Sequence, residues 1–457
     1  MVRRVLVAVG LAALAGLGCS RHEAPAGASS ASPPAALSPL SFIENDVPAA
    51  LARARAERKA VFVDVWAPWC HTCLSMKNYV LVDPSLRPLA ERVVFVAIDS
   101  DRPESAPFLE RYAVGVWPTF FVIDPASERS VGLWPGAASA AELRSFVEDA
   151  LHAIDVARSG AGADDAAAHL GRAREAHADR RYDQAVAEYE IAVAKAPIGS
   201  PRRSEALLGW IQALEKSGDV HACAKLGREH ADEVQGAAIP ADFAGFLLDC
   251  ASKLSGAEQV GARAVALARL RKITESPPAE ASADDRADAL SYLADVLTDT
   301  GDPDGARRAN EARVAIMEKA AASAPTPAIA ATYDYGRAMA YVALGRGDDA
   351  VRMLEGRERE LPDAYEPPAR LASALAKLGR LPEALAAADR AIARAYGPRR
   401  LGYFKLKAEI QGRTGDHAGQ IATLRAEVAG HEALPKGQVS SEKLADARRR
   451  LEEAERK

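Results

Sequence analysis

The sequence is poor in cysteine, methionine and aromatic side chains, and it carries little net charge. It has 5 cysteines, 5 methionines and 6% aromatic residues over 457 positions, with a formal net charge of −5. This slightly acidic balance gives no indication of nucleic-acid binding, which requires a basic surface. Beyond the N-terminus, no segment is apolar enough to cross a membrane.

Alanine fills much of what remains after residue 150. The chain is 49% hydrophobic, which is ample for folded cores, and its length suggests two to three domains. Alanine-rich sequence with few aromatic side chains is typical of closely packed helices.

The first 40 residues have the composition of an export signal and a tether. Two arginines precede an apolar run, residues 5–17, that is too short to span a bilayer comfortably. Cys19 follows at once, and this arrangement resembles a bacterial lipoprotein signal, whose cysteine is acylated after cleavage. Gly16 stands where such signals usually carry leucine, so the alternative is ordinary cleavage further downstream.

On this interpretation, residues 1–18 are a signal peptide and residues 19–40, rich in Ala, Ser and Pro, are a lipidated tether. Ser20 resembles the residue found after the cysteine in lipoproteins sorted to the outer membrane. We therefore expect the protein on the periplasmic side of a bacterial cell envelope, attached to the outer membrane through Cys19.

The stretch VFVDVWAPWCHTC, residues 61–73, organises the N-terminal part of the folded chain. Its apolar run, residues 61–66, predicts a buried strand. Cys70 and Cys73 follow, and the two residues between them let both sulfur atoms lie on the first turn of a helix. The N-terminus of a helix favours thiolate over thiol, and the thiolate is the nucleophile. The motif predicts a redox-active dithiol/disulfide pair.

Two other interpretations of Cys70 and Cys73 are a zinc half-site and an inert disulfide. Zinc needs four ligands, and no second C-x-x-C or histidine pair accompanies this one, so we expect no metal. In a redox centre, the thiolate of Cys70 attacks a substrate disulfide, and Cys73 then attacks Cys70 to release the reduced substrate. That chemistry needs no cofactor beyond the disulfide itself.

Helices and short apolar strands alternate over residues 41–155. Strands are predicted at 61–66, 93–98, 119–123 and, at a sheet edge, 130–133, and helices at 46–59, 73–79, 83–90, 106–112 and 140–151. This order predicts a three-layer α/β domain.

Residues 41–155 resemble a thioredoxin-fold domain. They are most similar to the periplasmic C-terminal domain of membrane thiol:disulfide interchange reductases, through the Trp-Cys-x-x-Cys start and the stretch from Met76 to Pro84. The resemblance implies a central mixed sheet with flanking helices. It also implies thiol:disulfide exchange on client proteins in the reductive direction.

The resemblance assigns roles to three further residues. Asp64 matches the buried acid behind the resolving cysteine, which takes and returns the proton of Cys73. Pro118 matches the cis-proline that faces the cysteine pair, and Gly136 matches a glycine beside the substrate groove. The buried lysine of thioredoxin has no counterpart, because the matching place, near Phe95, is apolar.

Three side chains near the motif are candidates for tuning and substrate contact. A cationic His71 would stabilise the thiolate of Cys70 and make the pair more oxidising, whereas a solvent-facing histidine would have a modest effect. Trp69 and Trp117 would form an apolar rim for peptide contact, or they belong to the core.

From residue 165 onward strand signals vanish, and Ala/Leu periodicity predicts an all-α region over residues 165–457. Gly345 and Gly379 are 34 residues apart, the length of one tetratricopeptide (TPR) repeat. We expect six or seven helical hairpins over residues 165–430, followed by a capping helix, in a TPR-like stack that binds peptide or protein.

Cys223 and Cys250 fall on helices of successive predicted hairpins. They form a structural disulfide, as suits an oxidising compartment, or they are two separately buried thiols.

The sequence thus predicts an exported thiol:disulfide oxidoreductase whose TPR-like region places it on partner proteins. The expected partners are client proteins with disulfides, a protein that donates or accepts electrons, a protein or peptide on the helical repeat, and the membrane through the lipid anchor. One alternative is an assembly scaffold in which the redox domain is a docking module. Another is a disulfide oxidase or isomerase.

Overall fold

A computed structural model describes residues 40–159 and 164–456 of the chain. The predicted signal peptide, Cys19 and nearly all of the predicted tether lie outside the described residues. Within those two ranges, no helix combines the length and apolar character that a membrane span needs. Export and lipidation therefore stay predictions.

The N-terminal region, residues 40–159, is built on a five-stranded mixed sheet in the order β1-β3-β2-β4-β5. The strands are β1 (Phe42–Glu44), β2 (Ala60–Trp66), β3 (Val93–Asp99), β4 (Thr119–Asp124) and β5 (Arg129–Pro135). β3 runs parallel to β1 and β2, whereas β4 is antiparallel to β2 and β5. The predicted α/β fold with a central mixed sheet is confirmed, and β5 lies at one edge of the sheet while β1 lies at the other.

Helices cover both faces of this sheet. They are α1 (Val47–Glu57), α2 (His71–Ser75), α3 (Ala106–Arg111) and α4 (Ala140–Ser159), with a π-helical turn at Met76–Val80 and 3-10 turns at Pro84–Glu91 and Pro103–Ser105. Phe62, Phe95 and Phe120 pack on one face of the sheet with α4, and Val61, Val63 and Phe121 pack on the other with α1 and α3. The alternation of side chains along each buried strand supplies both apolar faces.

The helical region, residues 164–456, contains α-helices and no strand among its described residues. The helices are α5 (Ala166–Ala178), α6 (Tyr182–Lys195), α7 (Pro201–Ser217), α8 (Val220–His230), α9 (Ile239–Ser252), α10 (Gly256–Glu275), α11 (Ala283–Asp299), α12 (Pro303–Ser323), α13 (Pro327–Ala330), α14 (Asp334–Ala343), α15 (Gly347–Glu360), α16 (Glu366–Lys377), α17 (Leu381–Arg394), α18 (Gly397–Thr414), α19 (His417–Glu432) and α20 (Ser441–Glu455).

Seven helical hairpins can be followed through this region. They are α5/α6, α7/α8, α9/α10, α11/α12, α14/α15, α16/α17 and α18/α19, after which α20 packs on α19. Gly345 and Gly379 lie between the two helices of their hairpins at φ +72° and +76°, a left-handed conformation that glycine adopts without steric cost. The 34-residue spacing of these two glycines therefore reflects one hairpin unit.

A disulfide joins two successive hairpins. Cys223 on α8 and Cys250 on α9 are bonded, with their Cα atoms 6.3 Å apart. The two cysteines therefore form a disulfide and are not two separately buried thiols.

The helical region packs against the N-terminal region of the same chain. Near its start, the Arg180 guanidinium donates to the carbonyl oxygens of Leu109 and Tyr112 at 2.7 and 3.0 Å. Near its end, Gln438 Nε2 donates to the carbonyl oxygens of Ser100 and Arg102, both at 2.8 Å. Both ends of the helical region are therefore in contact with the chain's own N-terminal region, and the binding of other proteins by the repeat stays a prediction.

Candidate redox site

The cysteine pair lies at the junction of β2 and α2. Cys70 and Cys73 are disulfide-bonded, with their Cα atoms 5.2 Å apart and exposed fractions of 5% and 3%. Cys70 caps α2, since its sulfur accepts a hydrogen bond from the backbone N–H of Cys73 at 3.0 Å. In the reduced state, the same backbone group and the helix dipole would stabilise a thiolate on Cys70.

The segment around Pro118 packs beside the cysteines. The Trp117–Pro118 peptide bond is cis, and Trp117 packs against Cys70 and Cys73. Gly136, at φ +93°, donates its backbone N–H to the carbonyl oxygen of Pro118 at 2.8 Å. A Cβ on this glycine would lie 2.9 Å from a carboxylate oxygen of Asp242 on α9. The groove that the resemblance assigns to substrate is thus bordered by the helical region.

Asp64 lies in the middle of β2 and is only 4% exposed. Burial raises the pKa of this carboxyl to about 7, while the nearby charge of Lys77 acts in the opposite direction. The Lys77 ammonium lies 4.3 Å from the centre of the Trp66 ring. The sequence comparison considered only the apolar place near Phe95 and did not predict that Lys77 acts on Asp64. Lys77 stands one helical turn after Cys73.

His71 forms an ion pair with the helical region. Its Nδ1 lies 3.1 Å from Asp284 Oδ1 and its Nε2 lies 3.8 Å from Asp288 Oδ1. The two carboxylates are one turn apart on α11, which begins with a reciprocal capping box between Ser282 and Asp285. The ring also stacks on Tyr335, with centroids 6.2 Å apart.

The ion pair decides the charge of His71. Burial by itself would lower the pKa of this imidazole, but Asp288 and Asp284 outweigh burial and raise the pKa to about 9. His71 is therefore a cation at neutral pH, placed directly after Cys70. The alternative of a freely solvated histidine is not what the structure contains, since its side chain is 26% exposed and paired.

His71, Asp284 and Asp288 are also the one group in the described ranges whose ligand atoms lie close enough together to hold a metal ion. The two carboxylates approach different ring nitrogens, and a protonated imidazole has no lone pair for a metal. The arrangement is accounted for as an ion pair.

Comparison with known proteins agrees with this description. A family model described as thioredoxin-like matches residues 42–125. Residues 42–125 are a thioredoxin-like domain. No curated protein matches the chain.

Solved structures match mainly through the helical region. A tetratricopeptide repeat protein from Parabacteroides merdae matches at 12% identity and a TM-score of 0.39, over 68% of this chain and 99% of that one. A thermophilic TPR protein of Thermus thermophilus matches at 18% identity and a TM-score of 0.31, over 47% and 100% of the two chains. The TPR2AB domain of yeast Sti1, in its complex with pHSP90, matches at 16% identity and a TM-score of 0.25, over 64% and 98% of the two chains.

The two tryptophans beside the thioredoxin-like motif are half-buried. Trp69 Nε1 donates to Asp101 Oδ2 at 2.7 Å, and Trp117 Nε1 donates to Ser100 Oγ at 2.9 Å. Their ring centroids are 5.4 Å apart, and the Arg399 guanidinium of α18 lies 4.5 Å from the centre of the Trp69 ring. The predicted rim exists as a cluster, and the helical region covers part of it.

Two cavities flank the redox motif where the thioredoxin-like domain meets the helical region. The first is about 330 Å³ and is lined by Cys70 together with residues of α16 and α18. The second is about 420 Å³ and is lined by Gly136 together with residues of α9 and α11. His71, Thr72, Trp117 and Tyr335 line both. Both cavities beside the cysteines are therefore bounded by the helical region.

Proposed function

We propose that the protein catalyses thiol:disulfide exchange at Cys70 and Cys73. The observation that carries the proposal is the bonded pair at the N-terminus of α2, packed against Trp117 of the cis-proline segment in a thioredoxin-like domain. The thiolate of Cys70 attacks a substrate disulfide and forms a mixed disulfide. Cys73 then attacks Cys70 Sγ, which releases the substrate as a thiol and restores the Cys70–Cys73 disulfide.

Asp64 is the base for the second attack in this proposal. Its burial and its raised pKa suit a group that takes the proton of Cys73 near neutral pH and later returns it. His71 is a positioning residue whose charge favours the thiolate of Cys70, and Asp284 and Asp288 hold that charge in place.

The resemblance to interchange reductases favours the reductive direction, which is the one that we propose, whereas the positive charge of His71 shifts the potential of the pair in the oxidising direction. A thiol or dithiol donor would then reduce the Cys70–Cys73 disulfide after each turnover.

We also propose export and lipid attachment through Cys19, which metabolic labelling with a radioactive fatty acid would test. Cys19→Ser should abolish the label if the proposal is right.

The equilibrium reduction potential of the Cys70–Cys73 pair tests both the function and its direction. A value near roughly −270 mV supports a reductase, and one near roughly −120 mV supports an oxidase. The Cys70→Ser/Cys73→Ser variant is the control and should show no exchange with a disulfide substrate. A wild-type pair that exchanges with neither glutathione nor dithiothreitol would contradict the proposal. If cells that carry the Cys70→Ser/Cys73→Ser variant behave like the wild type, the alternative of an assembly scaffold is favoured over an enzyme.

A further inference from the structure

We propose that the cavity beside Cys70 binds small disulfides that carry carboxylates, and that Arg370 and Arg399 recognise those carboxylates. This inference rests on the proposed exchange reaction and names a substrate class for it. It differs from the expectation of whole proteins as clients, which the resemblance implies.

The size of the cavity favours a small molecule. Its volume of about 330 Å³ lies at the lower end of the range of small-molecule sites, roughly 300–1,000 Å³, and is far below the volume of a folded protein. The thioredoxin-like domain and three helices of the helical region, α14, α16 and α18, supply the lining: Trp69, Cys70, His71, Thr72, Trp117, Tyr335, Glu366, Ala369, Arg370, Ser373, Arg399 and Tyr403.

Arg370 brings a buried charge to this cavity without a carboxylate partner. The residue is 7% exposed, and its Nη1 donates to the carbonyl oxygen of Ala331 at 3.1 Å. Its Nη2 has no hydrogen-bond partner in the described part of the chain. A guanidinium keeps its charge, and buried charges in proteins are usually paired, so a ligand carboxylate is the natural complement.

Arg399 is a second cation on the same wall. Its Nε donates to the hydroxyl oxygen of Tyr403 at 3.2 Å while its guanidinium covers Trp69. Within residues 40–159 and 164–456, neither arginine forms a direct ion pair, and the carboxyls that act on their charges are Glu366 for Arg370 and Asp101 for Arg399. Glu366 is the carboxyl of this cavity, and burial raises its pKa while the nearby charge of Arg370 acts in the opposite direction.

The second cavity differs from the first in the charged residues that line it. Four aspartates and one arginine, Arg313, line it, and Cys70 does not. Burial raises the pKa of Asp242 and of Asp285, so the attraction of an anionic disulfide rests on the two arginines beside Cys70 rather than on repulsion at the second cavity. Since the formal net charge of the chain is −5, attraction of an anion cannot come from the protein as a whole.

The reaction with such a substrate balances without an added reagent. Cys70 S⁻ attacks one sulfur of R–S–S–R, the S–S bond breaks, and one R–S⁻ leaves and takes a proton. Cys73 S⁻ then attacks Cys70 Sγ, and the second R–S⁻ leaves. Two electrons pass from the dithiol to the substrate, which ends as two R–SH, and the protein ends as the disulfide.

Three disulfides of similar size and different charge test the proposal. They are 3,3′-dithiodipropionate, a dianion, bis(2-hydroxyethyl) disulfide, which is neutral, and cystamine, a dication. The reduced full chain is mixed with each, and its oxidation is followed by tryptophan fluorescence in stopped flow. Each rate is divided by the rate of dithiothreitol with the same disulfide, which removes differences in intrinsic reactivity.

We expect the normalised rate to be highest for the dianion and lowest for the dication, with a ratio of about 10 or more. Arg399→Gln should reduce this ratio severalfold, and Arg370→Gln should do the same, whereas Arg370→Lys should keep most of it. Arg352→Gln is the control, because Arg352 is an exposed arginine on α15, away from the lining.

Several results would overturn the inference. Equal normalised rates for the three disulfides in the wild type would do so, and so would a ratio that neither glutamine variant changes. If Arg370→Gln does not fold, the Arg399→Gln ratio and the loss of preference at high salt decide the question. If the reduced protein reacts with none of the three disulfides, the proposed exchange function fails as well.

Discussion

His71 Nδ1 lies 3.1 and 3.2 Å from the two carboxylate oxygens of Asp284, a residue 213 positions further along the chain. The first residue between the redox cysteines is therefore held by a helix of the helical region. The helical region thus sets the charge next to Cys70, and the two parts of the molecule form one electrostatic unit.

Replacing either aspartate should lower the pKa of His71. In Asp284→Asn and in Asp288→Asn, we expect this pKa to fall from about 9 by more than one unit, because each carboxylate stabilises the imidazolium against burial. Titration of the imidazole by NMR measures the change. Asp299→Asn is the matched control, since Asp299 lies at the far end of α11 and pairs with Arg263. An unchanged titration in both variants would refute the assignment.

Stability should depend on pH through the same ion pair. The pKa of His71 is raised from 6.5 to about 9 in the folded chain, so its contribution is complete below about pH 6.5 and is lost as the pH rises through 9. His71→Gln should therefore lower the free energy of unfolding more at pH 6 than at pH 10, by about 1–3 kcal/mol. Chemical denaturation of both disulfide-bonded proteins at the two pH values measures this. If His71→Gln lowers the free energy of unfolding equally at pH 6 and at pH 10, the prediction is wrong.

Asp64→Asn should slow the second step of exchange. The pKa of Asp64 is about 7, so the wild-type rate should rise as the pH increases through this value and the carboxylate forms. We expect the variant to resolve a mixed disulfide on Cys70 about 10²-fold more slowly at pH 8, without an inflection near 7. Single-turnover release of a chromogenic thiol gives both rates.

The stability of Asp64→Asn shows whether a slow rate reflects lost chemistry or a damaged fold. Burial penalises ionised Asp64, so the wild type loses stability as the pH rises from about 4 towards 7, and asparagine removes this penalty. Asp64→Asn should therefore be at least as stable as the wild type at pH 8. A variant that is both slow and unstable at that pH would point to a structural role alone.

The disulfide between α8 and α9 should stabilise the helical region. Cys223→Ala/Cys250→Ala removes a link that spans 27 positions, and we expect a loss of about 3 kcal/mol in the free energy of unfolding. Cys70→Ala/Cys73→Ala, which opens a loop of 3 positions, is the comparison and should cost less. Calorimetry gives the loss of unfolding free energy in each double variant. Equal losses in the two variants would contradict the expectation.

Gly437 lies where the end of the helical region touches α3. A Cβ at this position would clash with the carbonyl oxygen of Ala106, so Gly437→Ala should force the two surfaces apart. We expect reduced Cys70 to react severalfold faster with a bulky maleimide in this variant. Gly402→Ala is the control, because a Cβ on Gly402 meets nothing within 4 Å. Equal alkylation rates in both variants would show that this contact does not limit access.

Local patterns were sufficient to predict four of the five strands and the helical hairpins. The apolar runs of β2, β3 and β4 and the turn glycines Gly345 and Gly379 each act through near neighbours in the chain. The missed strand, β1, has only 3 residues and is ordered by pairing with β3, about 50 positions away, so its own sequence carries little signal.

The contacts between the two regions could not be predicted in the same way. Asp284 and Asp288 stand on an ordinary helix, where two acidic residues one turn apart are common on solvated faces. Arg370 and Arg399 are equally unremarkable in sequence. Their relation to Cys70 depends on how seven hairpins stack, a geometry that accumulates over many residues and that no single motif encodes.

The bonds from Gln438 to the carbonyl oxygens of Ser100 and Arg102 span 338 and 336 positions. A stack of hairpins ordinarily assembles through neighbours and needs no distant partner. Here the helical region also depends on contacts with the thioredoxin-like domain that lie 336 to 338 positions away in the chain. Contacts of such high sequence separation carry a large loop-closure entropy cost, so we expect the two regions to close on each other after each has formed its local contacts.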